Sequence, residues 1–344
     1  MDRKRSVLVL ESGSIGEGAS GRTGGLALAE SAAGKLPGLG DVLAGYETIL
    51  RSFGIDGGLE LSGVWEIGRS GGMKDSPIRW QDSGELRVVR RVPGGTVDPG
   101  KVVAGLARSA EKAGAQIAEH AEVRGWDFEN PVGLRVLHKV RGRVQRKTIR
   151  AEQVLLATNA FSLEIAGVRE VAEPKLTFAL ATEPLSAAQL KAIGLATRRP
   201  FYTIDLPYLW GRLLETNGVI FGAGLVPAPI GWPIAGAGSH LRKKRTPDLR
   251  RFDVQRGEAA ERLRWLKDRV RQLHPALASA RITHRWGGPI LFTEGMRPIF
   301  RSHPRSEKVM VLGGYNGHGV ALSVYLGKWA AEALLGRRSL PSWH

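Results

Sequence analysis

The 344-residue sequence contains no cysteine. Disulfide bonds, thiolate metal sites, cysteine nucleophiles and cysteinyl links to a cofactor are therefore excluded. The eight histidines show none of the spacings of a zinc site, so no metal site is predicted. The sequence also lacks a run of about 20 apolar residues, which a membrane-spanning helix needs. Because the apolar run at residues 7–10 is too short for a secretory signal, we expect a cytoplasmic protein.

Acidic residues are few relative to basic ones. The 50 Lys and Arg residues outnumber the 33 Asp and Glu residues, which gives a formal net charge of +17. A surplus of this size raises the question of nucleic-acid binding. The basic residues, however, form dispersed clusters at residues 3–5, 141–147, 241–251 and 262–271, without a regular interleaving of aromatic residues. A glycine-rich chain of this kind favours an enzyme with a basic surface, and no nucleic-acid partner is expected.

The hydrophobic pattern predicts a mixed α/β chain. Residues 6–11 predict a buried parallel strand. Residues 98–113 predict an amphipathic helix with Asp98 as its cap, Pro99 in its first turn and Gly114 at its end. The predicted apolar face of this helix comprises Val102, Val103, Leu106, Ala107 and Ala110. From residue 174 to about residue 226 the pattern becomes typical of antiparallel strands. The other predicted elements are a hairpin at Asn217–Gly218, strands at 116–119, 122–128, 133–140, 154–157, 176–182, 209–214, 219–221 and 309–312, helices at 258–273 and 321–335, and a loop at 227–250. The helical period at 258–273 places Ala259, Leu263, Leu266 and Val270 on the inward side of that helix.

A glycine-rich segment follows the first predicted strand. Gly16, Gly18 and Gly21 formally match the G-x-G-x-x-G pattern that binds dinucleotides after a strand, and in this interpretation the chain is an NAD(P)-linked oxidoreductase. Two further glycines stand where the helix of that pattern should begin, and no acidic residue closes a second strand about 20 residues later. In the alternative interpretation, residues 7–11 are the second strand of such a domain and Glu11 is the carboxylate that binds a ribose.

Four segments resemble one family of flavoenzymes. Residues 7–11 and the GASGRTGG of residues 18–25 resemble the "E…GASGRNGG" segment of FAD-dependent oxidoreductases of the D-amino-acid oxidase superfamily. Residues 151–160 (AEQVLLATNA), 182–185 (TEPL) and 313–323 (GGYNGHGVALS) resemble three further family segments, in the same order. The resemblance covers nearly the whole chain and is greatest to the glycine oxidase, sarcosine oxidase and gamma-glutamylputrescine oxidase group.

The resemblance implies an α/β (α+β two-domain) fold, in which an antiparallel-sheet substrate domain is inserted into a split Rossmann-like FAD-binding domain. The FAD-binding domain would comprise residues 1–50, 95–170 and 281–344, and the substrate domain residues 51–94 and 171–280. The FAD would be noncovalent, because cysteine is absent and Arg22 stands where some relatives attach flavin to a histidine. The residues implied for FAD binding are Glu11, Ser20, Gly21, Arg22, Thr23, Gly24, Val123, Gly314, Tyr315, Asn316, Gly317, His318, Gly319 and Val320.

The resemblance also implies the reaction. A small amine or amino acid would pass a hydride to flavin N5, giving an imine and, with dioxygen as acceptor, peroxide. The candidate catalytic residues are Arg212, Tyr208 and His318, with Arg212 placed to bind a substrate carboxylate in a bidentate pair. The alternation of Tyr208, Trp210 and Arg212 is equally typical of an ordinary half-buried strand. His318 could equally be a histidine that packs the loop.

The beginning of the chain departs from the family pattern. The family opens with a strand, a G-x-G-x-x-G loop and a helix, about 30 residues in all. Here only residues 1–6 precede the strand at residues 7–11. We expect that Met1 is an internal methionine of a longer, active oxidase. The alternative is a natural truncation, which is either an inactive flavoprotein remnant or a chain completed by another polypeptide. The first strand of such a sheet is central, and without it the neighbouring strands would lack hydrogen-bond partners.

Overall fold

The computed structural model describes residues 5–161, 163, 165–223 and 254–343. The predicted loop at residues 227–250 and the basic cluster at 241–251 lie outside these residues. The chain divides into two compact units. Unit 1 comprises Met1–Glu60, Val97–Pro174 and Ile290–His344, and unit 2 comprises Leu61–Thr96 and Lys175–Pro289. Within the described ranges, no helix combines the length and the apolar content needed to cross a membrane.

Helices and strands alternate along much of the chain, as the predicted α/β class requires. The helices are α1 (Ala19–Arg22), α2 (Val42–Ser52), α3 (Pro99–Lys112), α4 (Ala187–Ala192), α5 (Gly257–Leu273) and α6 (Gly319–Leu334). The strands are β1 (Leu8–Leu10), β2 (Leu26–Leu28), β3 (Val64–Gly68), β4 (Arg79–Gln81), β5 (Glu85–Val92), β6 (Gly94–Thr96), β7 (Gln116–Ala118), β8 (Ala121–Asp127), β9 (Val132–Val140), β10 (Arg143–Ala151), β11 (Val154–Leu156), β12 (Ala172–Thr182), β13 (Phe201–Thr203), β14 (Leu209–Leu213), β15 (Val219–Ala223), β16 (Ile282–Thr293), β17 (Ile299–His303) and β18 (Ser306–Gly313).

Unit 1 contains both parallel and antiparallel strand pairs. β1 pairs with β7 in parallel, and β11 pairs with β18 in parallel. β17 pairs with β18 in antiparallel orientation, and β8, β9 and β10 form a three-stranded antiparallel sheet. The prediction that the strand at residues 6–11 is buried is wrong. Within the described residues β1 pairs with β7 alone, and Leu8 and Val9 are 42% and 41% exposed.

Helix α3 forms where its capping residues predicted it. The carboxylate of Asp98 accepts a hydrogen bond from the backbone N–H of Lys101 at 3.0 Å, and Pro99 occupies the first turn. Gly114 follows the helix with a φ of +95°, which a residue with a Cβ adopts only under strain. Val102 is the fully buried member of the predicted apolar face, and the other members are half-buried.

Helices α2 and α6 supply the main core of unit 1. Tyr46 of α2, Phe300 of β17 and Trp329 of α6 belong to one apolar cluster. The rings of Phe300 and Trp329 meet edge to face, with centroids 5.8 Å apart, a geometry that aromatic pairs prefer. Because α6 begins directly after the glycine-rich residues 313–318, this core also fixes the point where that segment ends.

His303 is a buried titratable group of unit 1. It is 6% exposed and stacks on Phe128, with ring centroids 4.6 Å apart. The backbone N–H of Arg305 donates to Nδ1 at 3.1 Å, so the neutral ring carries its proton on Nε2 and donates it to the carbonyl of Ile165 at 3.1 Å. Burial lowers the pKa of His303, and the positive charges of Arg305 and Arg301 lower it further.

Unit 2 is built on one eight-stranded sheet. Its strand order is β16-β12-β15-β14-β13-β3-β5-β4. Asn217, with a φ of +63°, lies in the predicted hairpin between β14 and β15. The antiparallel prediction holds for the pairs of β15 with β12 and β14, whereas β13 and β3 pair in parallel. This parallel pair joins strands from two separate stretches of the chain.

One face of this sheet packs against α5. Trp80 and Phe201 are fully buried there and meet edge to face, with ring centroids 4.8 Å apart. The helical period of residues 258–273 predicted which side of α5 turns inward, and that prediction is confirmed. The buried residues of α5 that it named are Ala259, Leu263, Leu266 and Val270.

A buried charge network joins three parts of unit 2. Arg269 of α5 is 6% exposed and donates to both carboxylate oxygens of Asp82, at 3.2 Å and 2.5 Å. Arg69 donates to the same carboxylate at 3.3 Å. Arg269 also donates to the carbonyls of Pro207 and Tyr208, at 2.7 Å and 3.3 Å. The Asp82 carboxylate therefore contacts two guanidinium groups that are largely removed from water, and Arg69 has a second carboxylate, that of Asp205, at 3.9 Å.

Replacement of Asp82 tests the contribution of this network. We expect Asp82→Asn to lower the free energy of unfolding by about 3 kcal/mol, because Arg269 stays buried without its carboxylate. The exposed Asp75→Asn serves as control and should change it by less than about 0.5 kcal/mol. Urea unfolding followed by tryptophan fluorescence measures both values. Equal losses in the two variants would contradict the prediction.

His303 should make stability depend on pH. Its pKa in the folded chain lies below the ordinary value of 6.5, so the unfolded chain binds a proton first as the pH falls. The free energy of unfolding should therefore decrease below about pH 6.5 and level off once the folded chain is also protonated. His303→Gln should reduce this slope and the exposed His284→Gln should keep it. Urea unfolding across this pH range measures the slopes, and an unchanged slope in His303→Gln would refute the assignment.

Candidate functional site

In unit 1, the residues between β18 and α6 form a tight turn that we call the glycine loop (residues 314–318). Gly314, Asn316 and Gly317 all have positive φ, at +67°, +53° and +89°. Glycine adopts this conformation without strain, and asparagine tolerates it better than most residues. The sequence Gly-Tyr-Asn-Gly-His therefore suits a loop that turns sharply and leads directly into α6.

The side chains of Asn316 and Tyr315 turn into the protein. Asn316 is 5% exposed, and its Oδ1 accepts from the backbone N–H of Thr293 at 2.8 Å. Its Nδ2 donates to Thr293 Oγ1 at 3.0 Å and to the carbonyl of Gly314 at 2.7 Å. Tyr315 packs against the apolar core, and burial raises the pKa of its phenol. Both are predicted cofactor-binding residues, but these contacts engage their side chains in holding the loop together.

A second asparagine contacts the glycine loop from the end of β11. Asn159 Oδ1 accepts a hydrogen bond from the backbone N–H of Gly314 at 3.0 Å. The sequence prediction did not include Asn159 among the site residues, although it lies in the ATNA segment that carries the family resemblance. That segment was the sequence feature from which Asn159 could have been predicted as a site residue. The pairing of β11 with β18, which creates the contact, joins residues too distant in sequence to be predicted from local pattern.

The start of α6 presents backbone N–H groups that have no partner inside the helix. His318 precedes the helix as its N-cap and makes no capping hydrogen bond with its side chain. Burial lowers the pKa of His318, so its imidazole is neutral near pH 7. The partial positive charge at the start of α6, formed by Gly319 and Val320, therefore comes from the backbone and favours an anionic group.

Glu11 lies directly after β1, where two neighbouring strands fix its backbone. Its N–H donates to the carbonyl of Ala118 at 3.0 Å, and its carbonyl accepts from the N–H of Ala121 at 2.7 Å. The Glu11 carboxylate accepts from the backbone N–H of Gly13 at 2.7 Å. Val123, the predicted adenine contact, is half-buried on β8 two residues beyond Ala121. The structure therefore brings Glu11 close to the beginning of the strand that carries Val123.

The glycines after β1 form a compact turn. A Cβ on Gly21 would overlap the carbonyl oxygen of Gly16, so a close chain contact requires glycine at residue 21. Helix α1 is a single turn, which differs from the longer helix of a dinucleotide-binding fingerprint. The predicted cofactor residues in this segment are Ser20, Gly21 and Arg22 in α1, and Thr23 and Gly24 directly after it.

In unit 2, the side chains of β14 alternate between the two faces of the sheet. Leu209 and Leu213 are buried in the core beneath α5. Trp210 and Arg212 alternate with them and are half-buried on the opposite face. We call this opposite face the polar face. Its defining residues are Glu66, Tyr202, Trp210 and Arg212.

Small residues lie beside Trp210 on the polar face. The register places Trp210 opposite Gly222 of β15, where a Cβ would overlap the indole ring. Ala179 and Ala181 of β12 follow on the next strand. The absence of a side chain at Gly222 therefore lets the indole of Trp210 lie directly against the sheet backbone.

Glu66 is the acidic member of the polar face, and the sequence prediction did not include it. The carboxylate belongs to a residue that is 7% exposed, and the hydroxyl of Tyr202 donates to its Oε1 at 2.5 Å. Burial opposes ionisation of Glu66, but hydrogen bonds from Arg90 and Tyr202 outweigh it and hold the pKa of the carboxyl below its ordinary value. The pairing of β13 with β3 brings Tyr202 to Glu66 across 136 residues of sequence.

The predicted catalytic residues fall into both units. Arg212 lies on the polar face of unit 2, and Tyr208 stands immediately before β14. The carbonyl of Tyr208 is held by Arg269, so the buried charge network fixes the backbone at this residue. His318 belongs to the glycine loop of unit 1.

Comparison with protein families and curated sequences gives consistent results. A family model described as "DAO: FAD dependent oxidoreductase" matches residues 2–333. A protein named "Probable oxidoreductase OrdL" from Rhizobium meliloti is 26% identical over 257 residues, which cover 72% of this chain and 49% of that protein. A protein of the same name from Haemophilus influenzae is 25% identical over 250 residues, which cover 70% and 48%. The chain thus spans about half the length of these curated relatives.

Solved structures share the fold at low sequence identity. A glycine oxidase from Geobacillus kaustophilus superposes with a TM-score of 0.67 at 18% identity, over 98% of this chain and 90% of that one. An L-proline dehydrogenase from P. horikoshii superposes with a TM-score of 0.66 at 18% identity, over 98% and 88%. These similarities confirm the predicted fold class.

Gly314 offers a test of how tightly the glycine loop is packed. An alanine Cβ at residue 314 would lie 2.5 Å from Thr293 Cγ2, whereas at Gly336, which has nearly the same φ of +68°, it would meet open space. Gly336→Ala should therefore lower the free energy of unfolding by about 1 kcal/mol through backbone strain alone, and Gly314→Ala by about 3 kcal/mol. Urea unfolding compares them. Equal losses would mean that the loop is not closely packed against Thr293.

Proposed function

Because this chain belongs to the DAO family of FAD-dependent oxidoreductases, we propose that it oxidises a small amine or amino acid with FAD as its cofactor. The family match over residues 2–333 is the observation that carries this proposal. Two proteins that share its fold bear the names glycine oxidase and L-proline dehydrogenase. In this proposal, unit 1 is the FAD-binding domain, unit 2 is the substrate domain, and the enzyme acts in the cytoplasm.

The residues of unit 1 fit a dinucleotide cofactor. An added Cβ at Gly317 would meet open space, so a planar ligand can approach the backbone of the glycine loop. The start of α6 favours the negative charge that a pyrophosphate carries, or that a reduced flavin gains near N1. The carboxylate of Glu11 suits the hydroxyl groups of a ribose. Since the chain has no cysteine and Arg22 stands where some relatives have a histidine, we propose that FAD binds noncovalently.

The chemistry that bound FAD supplies is the acceptance of a hydride from the substrate carbon at flavin N5, which leaves an imine that hydrolyses. The electron acceptor in this proposal is dioxygen, which yields hydrogen peroxide, or another oxidant. The protein then has to bind the amine, orient it and exclude water, tasks that need no catalytic triad. His318 contributes a neutral imidazole whose Nδ1 lies 3.4 Å from the carbonyl of Asn316 in the glycine loop.

The polar face of unit 2 supplies the groups that would bind the substrate. Arg212 can bind a carboxylate through two parallel hydrogen bonds, which gives both affinity and orientation. Trp210 offers an apolar wall beside it, and the hydroxyl of Tyr208 offers a further hydrogen bond. The negative charge of Glu66 is already matched by Arg90. We therefore propose an amino acid, with its carboxylate on Arg212, as the substrate in preference to a polyamine.

The NAD(P)-linked alternative is not favoured. The matching family uses FAD, and the helix that contains Gly21 is a single turn.

A substrate panel tests the proposal and the role of Arg212. The purified chain, supplied with FAD, should show the visible absorption bands of oxidised flavin and lose them under anaerobic conditions when the right amino acid is added. Arg212→Gln should raise the KM for that amino acid about 30-fold, because a charge-assisted pair contributes about 2 kcal/mol. The same variant should leave the KM of the matching amine without a carboxylate nearly unchanged.

The exposed Arg264→Gln is the matched control for loss of one positive charge, and it should keep the wild-type KM. If the chain gains no flavin bands in the presence of FAD, both as given and with the upstream in-frame codons restored, the proposed function is excluded. Flavin bands with an Arg212→Gln variant of normal KM would keep the flavoenzyme and exclude Arg212 as the carboxylate-binding residue.

A further inference from the structure

The contact between Asn159 and the glycine loop arises from the strand order of unit 1. β11 and β18 are parallel neighbours, with Leu156 opposite Val311, so their carboxyl ends meet at the same edge. Asn159 stands three residues beyond Leu156, and Gly314 three residues beyond Val311. The two residues therefore meet by register, and Asn159 Oδ1 accepts from the Gly314 N–H at 3.0 Å.

Asn159 is also placed sterically against the loop. It has a φ of +47°, a conformation in which asparagine is enriched among residues with a Cβ. A Cβ on Gly313 would lie 3.4 Å from both the Cα and the Oδ1 of Asn159. The residue thus packs along the backbone of Gly313 as well as bonding to Gly314.

The backbone carbonyl of Gly314 is held by another asparagine, Asn316. Asn316 Nδ2 donates to the Gly314 carbonyl at 2.7 Å, and Thr293 in turn anchors Asn316. Both backbone polar groups of Gly314 are therefore fixed by amide side chains. A glycine with a φ of +67° has many alternative conformations, and these two bonds select one of them.

We propose that Asn159 is a positioning residue for FAD, which acts by fixing the peptide of Gly314. With that peptide fixed, the following N–H groups of the glycine loop and the first turn of α6 keep the orientation in which they meet the cofactor. This inference rests on the proposed function, since it requires the glycine loop to contact FAD. It assigns a role to a side chain that lies outside the loop itself.

Three variants distinguish the effect of losing the Asn159 hydrogen bond from the effect of changing the backbone conformation. Asn159→Gly keeps the left-handed conformation and removes the acceptor, and Asn159→Asp keeps an acceptor and adds a negative charge. Asn217→Gly in unit 2 is the matched control, because Asn217 also has positive φ, at +63°, and its Oδ1 also accepts a hydrogen bond, from Arg198 at 3.2 Å. Each variant is purified, stripped of FAD and titrated with FAD while the flavin fluorescence is followed.

The expected result is a dissociation constant for FAD about 10-fold higher in Asn159→Gly, from the loss of one hydrogen bond, and unchanged in Asn217→Gly. The visible flavin bands of Asn159→Gly should also shift, and its thermal unfolding without FAD should match that of the control. Asn159→Asp should bind FAD within about 3-fold of wild type but with a lower midpoint potential, because its charge opposes the negative charge of reduced flavin.

Two results would overturn the inference, and they are distinguishable. If Asn159→Gly binds FAD with the wild-type constant and spectrum, Asn159 does not position the cofactor, although the flavoenzyme function stands. If the wild-type chain binds no FAD in the same titration, either as given or with the upstream in-frame codons restored, the proposed function fails and the inference fails with it.

Discussion

The glycine loop can present a defined surface only if the backbone of Gly314 is held at both of its polar atoms. Asn159 holds the N–H and Asn316 holds the carbonyl, so two side chains from different parts of the chain fix one flexible residue. The core formed by α2 and α6 then fixes where the loop ends. The part of unit 1 that fits a cofactor depends on these hydrogen bonds, because glycine alone permits the turn without selecting it.

In unit 2, the placement of the side chains depends on the two faces of the sheet, which have different surroundings. Leu209 and Leu213 face α5 and the apolar core, and this burial orients Trp210 and Arg212 toward the other side. Arg269 fixes the backbone before β14 in a similar way. Its buried guanidinium needs hydrogen-bond acceptors, which are the Asp82 carboxylate and the nearby backbone carbonyls. The contacts that stabilise unit 2 therefore also place the proposed substrate-binding residues.

The electrostatics of the site are local and differ from the charge of the whole chain. The formal net charge is +17, yet the polar face carries an ionised Glu66 that Arg90 and Tyr202 keep charged despite burial. In unit 1, the attraction for an anion comes from backbone dipoles at α6, because burial keeps His318 neutral. A global surplus of basic residues thus says little about which charges a ligand meets.

The sequence by itself determined the elements with strong local signals, such as helix α3 with its cap Asp98 and the inward side of α5, and its family motifs indicated a flavoenzyme. It also indicated the glycine loop, because closely spaced glycines directly before an apolar helix predict a tight turn from local sequence alone. Only the tertiary structure decided that β1 is exposed, that Glu66 meets Tyr202 and that Asn159 meets Gly314. Each of these depends on which strands pair across long sequence separations, and local periodicity carries no information about that choice.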